Sequence, residues 1–413
     1  MQKKKCKKDE EKSHFGTCAN VLYFALSTSK ISLRSFHRRM NTTPMKSTSF
    51  RALIAAGGTG GHLFPAMAVA EECARLTDNN CVLEFIGTAD RIEATIVPKH
   101  GYTFYTIPMS GLQKIVSLET VKLPFRVLQS VMKARAVLRE TTPDCVICAG
   151  AYLSYPVGLA ASQLGIPLFL LESNALPGKT IKRLAPRAST IYVAFEESRH
   201  YFSPSVIGRV EVLGNPVRSN VSVLPEKSAA RIALGLEPDK PTVFVFGGSL
   251  GARSINAAVL SSLEKFRSAG IQVLWQTGKN YTFSPNINTD GARILPFVEN
   301  MSAGYAAADV VVCRAGATTI AELAIVRKPA ILVPFPKAAN DHQTSNARAL
   351  QEQGAAILLP DTEVEERLFA SVQGLLNNTI AQETMKRSLE PFAKPNAAHD
   401  IAQAILQQVW KKP

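Results

Sequence analysis

His62 and Glu172 are the titratable side chains whose setting in the sequence suits proton transfer. His62 closes the run Gly57-Gly58-Thr59-Gly60-Gly61-His62, a turn between an apolar strand-length segment and a helix-length one. Imidazole has an unperturbed pKa near about 6.5, which matches proton transfer at neutral pH. A helix start would lower that value and keep the ring neutral, as a base requires. A capping or ligand-binding histidine fits the same position equally well. Glu172, in Leu171-Glu172-Ser173-Asn174 at the predicted end of a strand, is the rival base. An exposed carboxylate there is a weak base unless desolvated.

Three loops carry the small residues that let a backbone approach an anion. Gly58-Thr59-Gly60-Gly61 is the first, and Phe246-Gly247-Gly248-Ser249-Leu250-Gly251-Ala252 repeats its pattern 190 positions later. Each reads strand, Gly-Gly, hydroxyl residue, one residue, Gly, helix. In such a turn the backbone N–H groups and the positive end of the helix face the same point. Leu63 replaces the third glycine of G-x-G-x-x-G, so the first turn alone is as well explained by close strand–helix packing. The third loop is Arg314-Ala315-Gly316-Ala317-Thr318-Thr319-Ile320-Ala321-Glu322. Thr318 and Thr319 stand where hydroxyls and N–H groups would meet a diphosphate. Glu322, a turn further on, is placed to take both hydroxyls of a ribose. An acid near a helix start is also stabilised by about 0.3–1 kcal/mol without any ligand. The chain has no Asp-x-Asp pair and no His/Cys cluster with ligand spacing, so no metal is expected in the site.

The elements that position these loops form a regular series. At 413 residues the chain exceeds a single hydrophobic core, which stops growing near about 250–300 residues. From Arg51, apolar strand-length runs alternate with helix-length segments, the mark of βαβ units and a parallel sheet. Predicted strands are 52–56, 82–86, 145–149, 167–171 and 190–193, with Val212-Leu213-Gly214-Asn215-Pro216-Val217-Arg218 ending the first series. The second series holds 242–246, 273–275, 294–295, 309–313, 330–333 and 356–359. The expected fold is α/β: two doubly wound, Rossmann-like domains whose strand ends face each other across a cleft. The expected divisions are a basic low-complexity tail over 1–50, one domain over 51–217 and a second over 218–395. A C-terminal helix over 396–413 is expected to pack back on the first domain.

Charge and cysteines narrow the function classes. The net charge is +14, but residues 1–50 hold 11 Lys or Arg against 3 Asp or Glu, leaving 36 basic and 30 acidic residues in the remainder. The basicity belongs to the tail, and no nucleic-acid-binding signature accompanies it. That tail fits a transit peptide, a basic arm or sequence read from an early start ahead of Met40 or Met45; acids at 9–11 weigh against the first. The seven cysteines are scattered, and Cys145-Val-Ile-Cys148 lies in an apolar run that reads as a buried strand. No apolar run approaches the ~20 residues that span a bilayer.

In combination these motifs identify a family. The Gly57–His62 turn with Pro65-Ala66, Gly214–Arg218, Gly247–Arg253 and the Arg314–Glu322 loop, in order over about residues 51–410, resemble the MurG family. Those proteins are the peptidoglycan N-acetylglucosaminyltransferases with the GT-B fold. The resemblance implies transfer of N-acetylglucosamine from UDP to lipid I, giving lipid II with inversion at the anomeric carbon. It places Thr59, Gly60 and Gly61 between donor and acceptor, and Asn174, Arg218 and Ser249 on the donor. It gives the backbone of Val298 the uracil edge, and Ala317, Thr318, Thr319, Ile320, Ala321 and Glu322 the diphosphate and ribose. Gln343 falls on the sugar hydroxyls, although Lys337-Ala338-Ala339-Asn340 is a residue longer than in some members. Leu171 and Ser173 depart from the His-Glu-Gln-Asn found in many members, which puts a role for those two side chains in doubt.

The resemblance further implies UDP-N-acetylglucosamine as a substrate, with no cofactor, and polyprenyl-linked lipid I as acceptor. An anionic membrane surface and other cell-wall synthesis enzymes are the remaining partners. The setting is the cytoplasmic face of the plasma membrane, or a plastid should the tail be a transit peptide. Residues 114–139 offer the membrane site: Val121, Phe125, Leu128 and Val131 recur at helical spacing among Lys122, Arg126, Lys133 and Arg135. A core-packing helix with a solvated face has the same pattern. Three other functions stay open. A GT-B enzyme with another lipid acceptor, such as diacylglycerol, would share the donor half. A nicotinamide oxidoreductase would bind NADH rather than UDP. A non-catalytic sugar binder would not need His62, Glu172, Asn174, Glu322 and Gln343 together.

Overall fold

The computed structural model describes residues 49–109, 123–217, 221–248, 250–279, 281–282 and 289–410. The tail, Val121 and the rest of 110–122, Arg218 and Ser249 lie outside them.

The first half runs β1 (Phe50–Ala55), α1 (Gly60–Leu76), β2 (Cys81–Gly87), α2 (Glu93–Lys99), β3 (Thr103–Thr106), α3 (Leu123–Thr141), β4 (Cys145–Cys148), α4 (Ser154–Gln163), β5 (Leu168–Glu172), α5 (Lys179–Leu184), β6 (Thr190–Val193), α6 (Pro204–Ile207) and β7 (Val210–Val212). Its seven strands lie in the order β3-β2-β1-β4-β5-β6-β7, all pairs parallel. The second half runs α7 (Lys227–Ala233), β8 (Thr242–Phe246), α8 (Arg253–Ser268), β9 (Gln272–Gln276), β10 (Ala292–Leu295), α9 (Met301–Ala307), β11 (Val310–Cys313), α10 (Ala317–Val326), β12 (Ala330–Leu332), α11 (His342–Glu352), β13 (Ile357–Leu358), α12 (Val364–Leu376), α13 (Thr379–Ser388) and α14 (Ala397–Val409). Its six parallel strands lie in the order β10-β9-β8-β11-β12-β13.

Central strands are buried along nearly their whole length. In β4, β5 and β8 every residue is buried, because helices cover both faces and each side of the strand must be apolar. Cys145 and Cys148 are two such residues, at the two ends of β4 and on opposite faces of it. Sequence boundaries differ from the observed ones by at most two residues, β7 was touched only at Val212, and β3 escaped detection. Its four residues, Thr-Phe-Tyr-Thr, are only half-buried at the sheet edge and show no apolar run.

Helix α14 joins the core of the first half, not the second. Ile401, Ala402, Ile405 and Leu406 pack with Phe50, Ile54, Leu63 and Val69 of β1 and α1. The chain thus crosses between halves twice, once at 213–217 and once before α14. The strand order places β1 and β4 at the centre of one sheet and β8 and β11 at the centre of the other. The loops leaving the carboxyl ends of β1, β5, β8 and β11 are the ones singled out above, at the positions where open parallel sheets bind ligands.

Candidate active site

The first glycine turn is fixed from below by a buried acid. Gly58 has φ of +81°, a left-handed conformation that glycine adopts without strain. Its N–H donates to Glu93 Oε2 at 2.9 Å, and Thr88 N–H and Oγ1 donate to Glu93 Oε1 at 3.1 and 2.8 Å. The first amide of this turn is therefore used by the protein. Helix α1 starts at Gly60 without a side-chain cap, because the hydroxyl of Thr59 lies 3.1 Å from His62 Nδ1 instead. The His62 ring lies against Gly150, where a Cβ would collide with its Cδ2. Burial, with a smaller contribution from nearby His342, lowers the imidazole pKa to about 4. His62 is therefore neutral at physiological pH.

Glu172 differs from the expectation. The side chain is buried rather than exposed, because β5 ends under its own returning loop. Oε1 accepts from Asn174 N–H at 2.9 Å and Asn174 Nδ2 at 3.1 Å, and Oε2 accepts from Gly178 N–H at 2.7 Å. Burial raises its pKa, opposed by those hydrogen bonds and by Lys182. This carboxylate is committed to shaping residues 172–178.

In the second half, α10 opens at Gly316 with no side-chain cap, so among the described residues no capping side chain meets the first-turn N–H groups of Ala317, Thr318 and Thr319. Arg314 braces the approach to this helix. Its guanidinium donates to Val333 O at 3.1 Å, Pro334 O at 3.0 Å and Ser254 Oγ at 2.9 Å, and pairs with Asp361. One side chain thus ties the α10 loop to the start of α8 and to the segment leading to Gln343. Gln343 Oε1 accepts from Phe335 N–H at 2.9 Å, which turns its amide nitrogen away from that bond. Tyr305, fully buried on α9, donates to Glu322 Oε2 at 2.7 Å and fixes the carboxylate. Ile320 is buried and Ala321 half-buried behind the turn. The N–H of Val298 donates to Gln276 Oε1 at 2.8 Å, so that donor is already taken by the protein.

The two halves meet at these loops. Asn346 of α11 is fully buried; its Oδ1 accepts from Ala175 N–H at 2.9 Å, while Nδ2 reaches Asn174 Oδ1 and Ala315 O, both at 3.2 Å. Asn215 in the first crossing lies 3.4 Å, Nδ2 to Oγ1, from Thr318, and its buried Oδ1 has no partner among the described residues. The structure thus brings His62, Asn174, Thr318, Glu322 and Gln343 to one junction of loops. Sequence reasoning missed Glu93, Tyr305, Asn346 and the bracing by Arg314. Asn215 was visible only as part of a quoted motif.

The predicted membrane stripe is corrected at one position. On α3, Phe125 is 78% and Met132 64% exposed, while Val131 is 7% exposed and packs inward. At about 100° per residue, Val131 falls roughly 120° round from Phe125, whereas Met132 falls only about 20° away. The exposed apolar residues are Phe125, Leu128 and Met132. Val121 lies outside the described residues. Among the described residues no helix is long and apolar enough to cross a membrane, and no three His, Cys, Asp or Glu side chains form a metal-holding group.

Comparison with known proteins decides the family. The N-terminal domain of glycosyltransferase family 28 matches residues 52–193, and the C-terminal domain of that family matches 242–405. The chain belongs to glycosyltransferase family 28. Among relatives of this glycosyltransferase is the UDP-N-acetylglucosamine–N-acetylmuramyl-(pentapeptide) pyrophosphoryl-undecaprenol N-acetylglucosamine transferase of Cytophaga hutchinsonii. It is 39% identical over 87% of this chain and 96% of its own length. The enzyme of that name from Porphyromonas gingivalis is 38% identical over 87% and 96%. A crystal structure of Acinetobacter baumannii MurG superposes with a TM-score of 0.68 at 28% identity, covering 87% of this chain and 99% of that one. A calicheamicin glycosyltransferase at 14% identity shares the fold with a TM-score of 0.63. The two sheets are thus the two Rossmann-like domains of a GT-B glycosyltransferase.

Proposed function

We propose that this glycosyltransferase moves N-acetylglucosamine from UDP-N-acetylglucosamine to the 4-hydroxyl of the N-acetylmuramyl sugar of lipid I, forming lipid II. One observation carries the reading: relatives named for this transfer match 87% of this chain, and 96–98% of their own length, at 36–39% identity. Nothing favours diacylglycerol or another acceptor over it.

The chemistry is a single inverting displacement. The acceptor oxygen forms a bond to the anomeric carbon as the bond from that carbon to the UDP oxygen breaks. The hydroxyl proton passes to a base, and the departing diphosphate carries the negative charge. The N–H groups opening α10, with the hydroxyls of Thr318 and Thr319, face that diphosphate in a place where a helix end favours an anion. Asn215 stands beside them, its Nδ2 3.4 Å from the Thr318 hydroxyl. Glu322, oriented by Tyr305, takes the ribose hydroxyls, and the Gln343 amide takes a hydroxyl of the sugar. No protein-bound metal enters this scheme.

His62 is the base this geometry supports. In the tautomer whose Nδ1–H donates to the Thr59 hydroxyl, the Nε2 lone pair is left for the acceptor. Glu172 is a poorer base, since both its oxygens already hold the 172–178 loop. The exposed apolar residues of α3, flanked by Arg126, Lys133 and Arg135, suit contact with an anionic lipid surface that presents the acceptor. Incubating the chain with radiolabelled UDP-N-acetylglucosamine and either a lipid I analogue or diacylglycerol tests the reading. Label in the first lipid alone is expected; label only in the second would replace lipid I as acceptor.

A further inference from the structure

Beneath the first glycine turn lies an acid that the scheme above does not use. Glu93 opens α2 and is fully buried, 35 residues from the turn it contacts. Its carboxylate meets donors on three sides: Gly58 N–H, Thr88 N–H and the Thr88 hydroxyl. The surrounding chain is shaped to admit it. A Cβ at Gly57 would run into the carboxylate, and one at Gly87 into its Cγ. Two glycines from different βα junctions thus leave the space that one carboxylate fills. A purely structural buried side chain would be simpler as an apolar residue, because an acid must be desolvated and then satisfied by hydrogen bonds.

We propose that Glu93 is a positioning residue for the transfer reaction: it sets the left-handed turn at Gly58 and, through Thr59, the orientation of His62. This rests on the reading of His62 as the base. The connection is short. Gly58 is held by Glu93, Thr59 follows it and caps α1 with its carbonyl, accepting from His62 N–H and Leu63 N–H at 3.2 Å each, and its hydroxyl meets the imidazole. Loss of the carboxylate frees the Gly58 amide and lets the turn rotate. In Glu93→Gln the new amide group places a donor against at least one of the existing donors.

The residues placed on the diphosphate and ribose, Ala317 to Glu322, lie in the other half of the chain, so the two roles separate. With the full chain, Glu93→Gln is expected to lower kcat by about 10- to 100-fold, the range for a catalytic group displaced by about an ångström. The Kd for UDP by calorimetry and the KM for the sugar nucleotide stay unchanged. In a His62→Ala background the same substitution costs little further, since Glu93 acts through His62. A wild-type kcat in Glu93→Gln overturns the proposal, as does a loss that multiplies in full with that of His62→Ala, or one matched by weaker UDP binding. Should Glu93→Gln fail to fold, Thr88→Val removes a single donor from the carboxylate and carries the same three measurements with a smaller fall. A wild-type chain inactive on the lipid I analogue would remove the transferase reading and this role with it, whereas an active one leaves that reading standing whatever Glu93 does.

Discussion

Asn346 Nδ2 lies 3.2 Å from Asn174 Oδ1, a hydrogen bond between side chains 172 residues apart in different Rossmann-like halves. The same amide reaches Ala315 O, so the loop after β5 and the loop before α10 share one buried side chain. In Asn346→Ala the Ala175 N–H and the Ala315 carbonyl lose this partner. Leaving buried polar groups unpaired costs about 1–3 kcal/mol. Urea denaturation should show that loss, together with a raised KM for the sugar nucleotide. Unchanged values of both would mean that the two loops find their positions without this bond.

The pH dependence of kcat/KM follows from His62. Its pKa is lowered to about 4, so in the free enzyme the imidazole stays neutral as pH falls through the usual histidine range. Because kcat/KM reports free-enzyme groups, it should stay level from pH 7 down to about 5 and fall only nearer 4. A fall centred near about 6.5 would point to an unperturbed histidine. The stability sign is the same: the unfolded chain takes up this proton first, so folding stability declines as pH drops below about 6.5 and keeps declining toward 4.

Tyr305 and Glu322 give a substrate-level test. If the carboxylate takes ribose hydroxyls, 2′-deoxy-UDP should bind the wild-type chain more weakly than UDP, by about 1–3 kcal/mol for a group left unpaired. Glu322→Ala should bind the two alike. Tyr305→Phe, which removes the 2.7 Å bond holding Glu322, should fall between. Equal binding of both nucleotides by the wild-type chain would take the ribose away from Glu322.

Sedimentation with anionic liposomes examines α3. Replacing Phe125 and Met132 with Glu should abolish binding while leaving UDP affinity intact, because both side chains are exposed. Each substitution removes an apolar contact and adds a charge repelled by the lipid surface. Retained sedimentation would move the membrane contact elsewhere.

Chelation checks the leaving-group scheme. With helix N–H groups and hydroxyls facing the diphosphate, turnover should persist in EDTA; a loss restored by magnesium would require a metal in the site.

The outline of the fold was legible because parallel strands buried on both faces are written as continuous apolar runs, as in β4, β5 and β8. Edge strand β3 has no such run and was not. Loop motifs were legible too, since a glycine turn between strand and helix is a local pattern. The α3 stripe was half legible: helical spacing was visible, but the phase that buries Val131 and exposes Met132 depends on which side of the helix meets the sheet.

By itself the sequence determined the two βα series, the glycine turns that end their first strands, and the placing of His62, Thr318 and Glu322 in the opening turns of helices that follow strand ends. These follow from short-range periodicity and from backbone conformations that few residues allow. Only the tertiary structure decided what stands behind those loops: Glu93 under Gly58, Tyr305 on Glu322, Asn346 between Asn174 and Ala315, and the burial of Glu172. Glu172 is held by partners two and six residues on, but the other contacts span 17 to 172 residues, between groups whose burial and hydrogen bonding exist only once the sheets have formed.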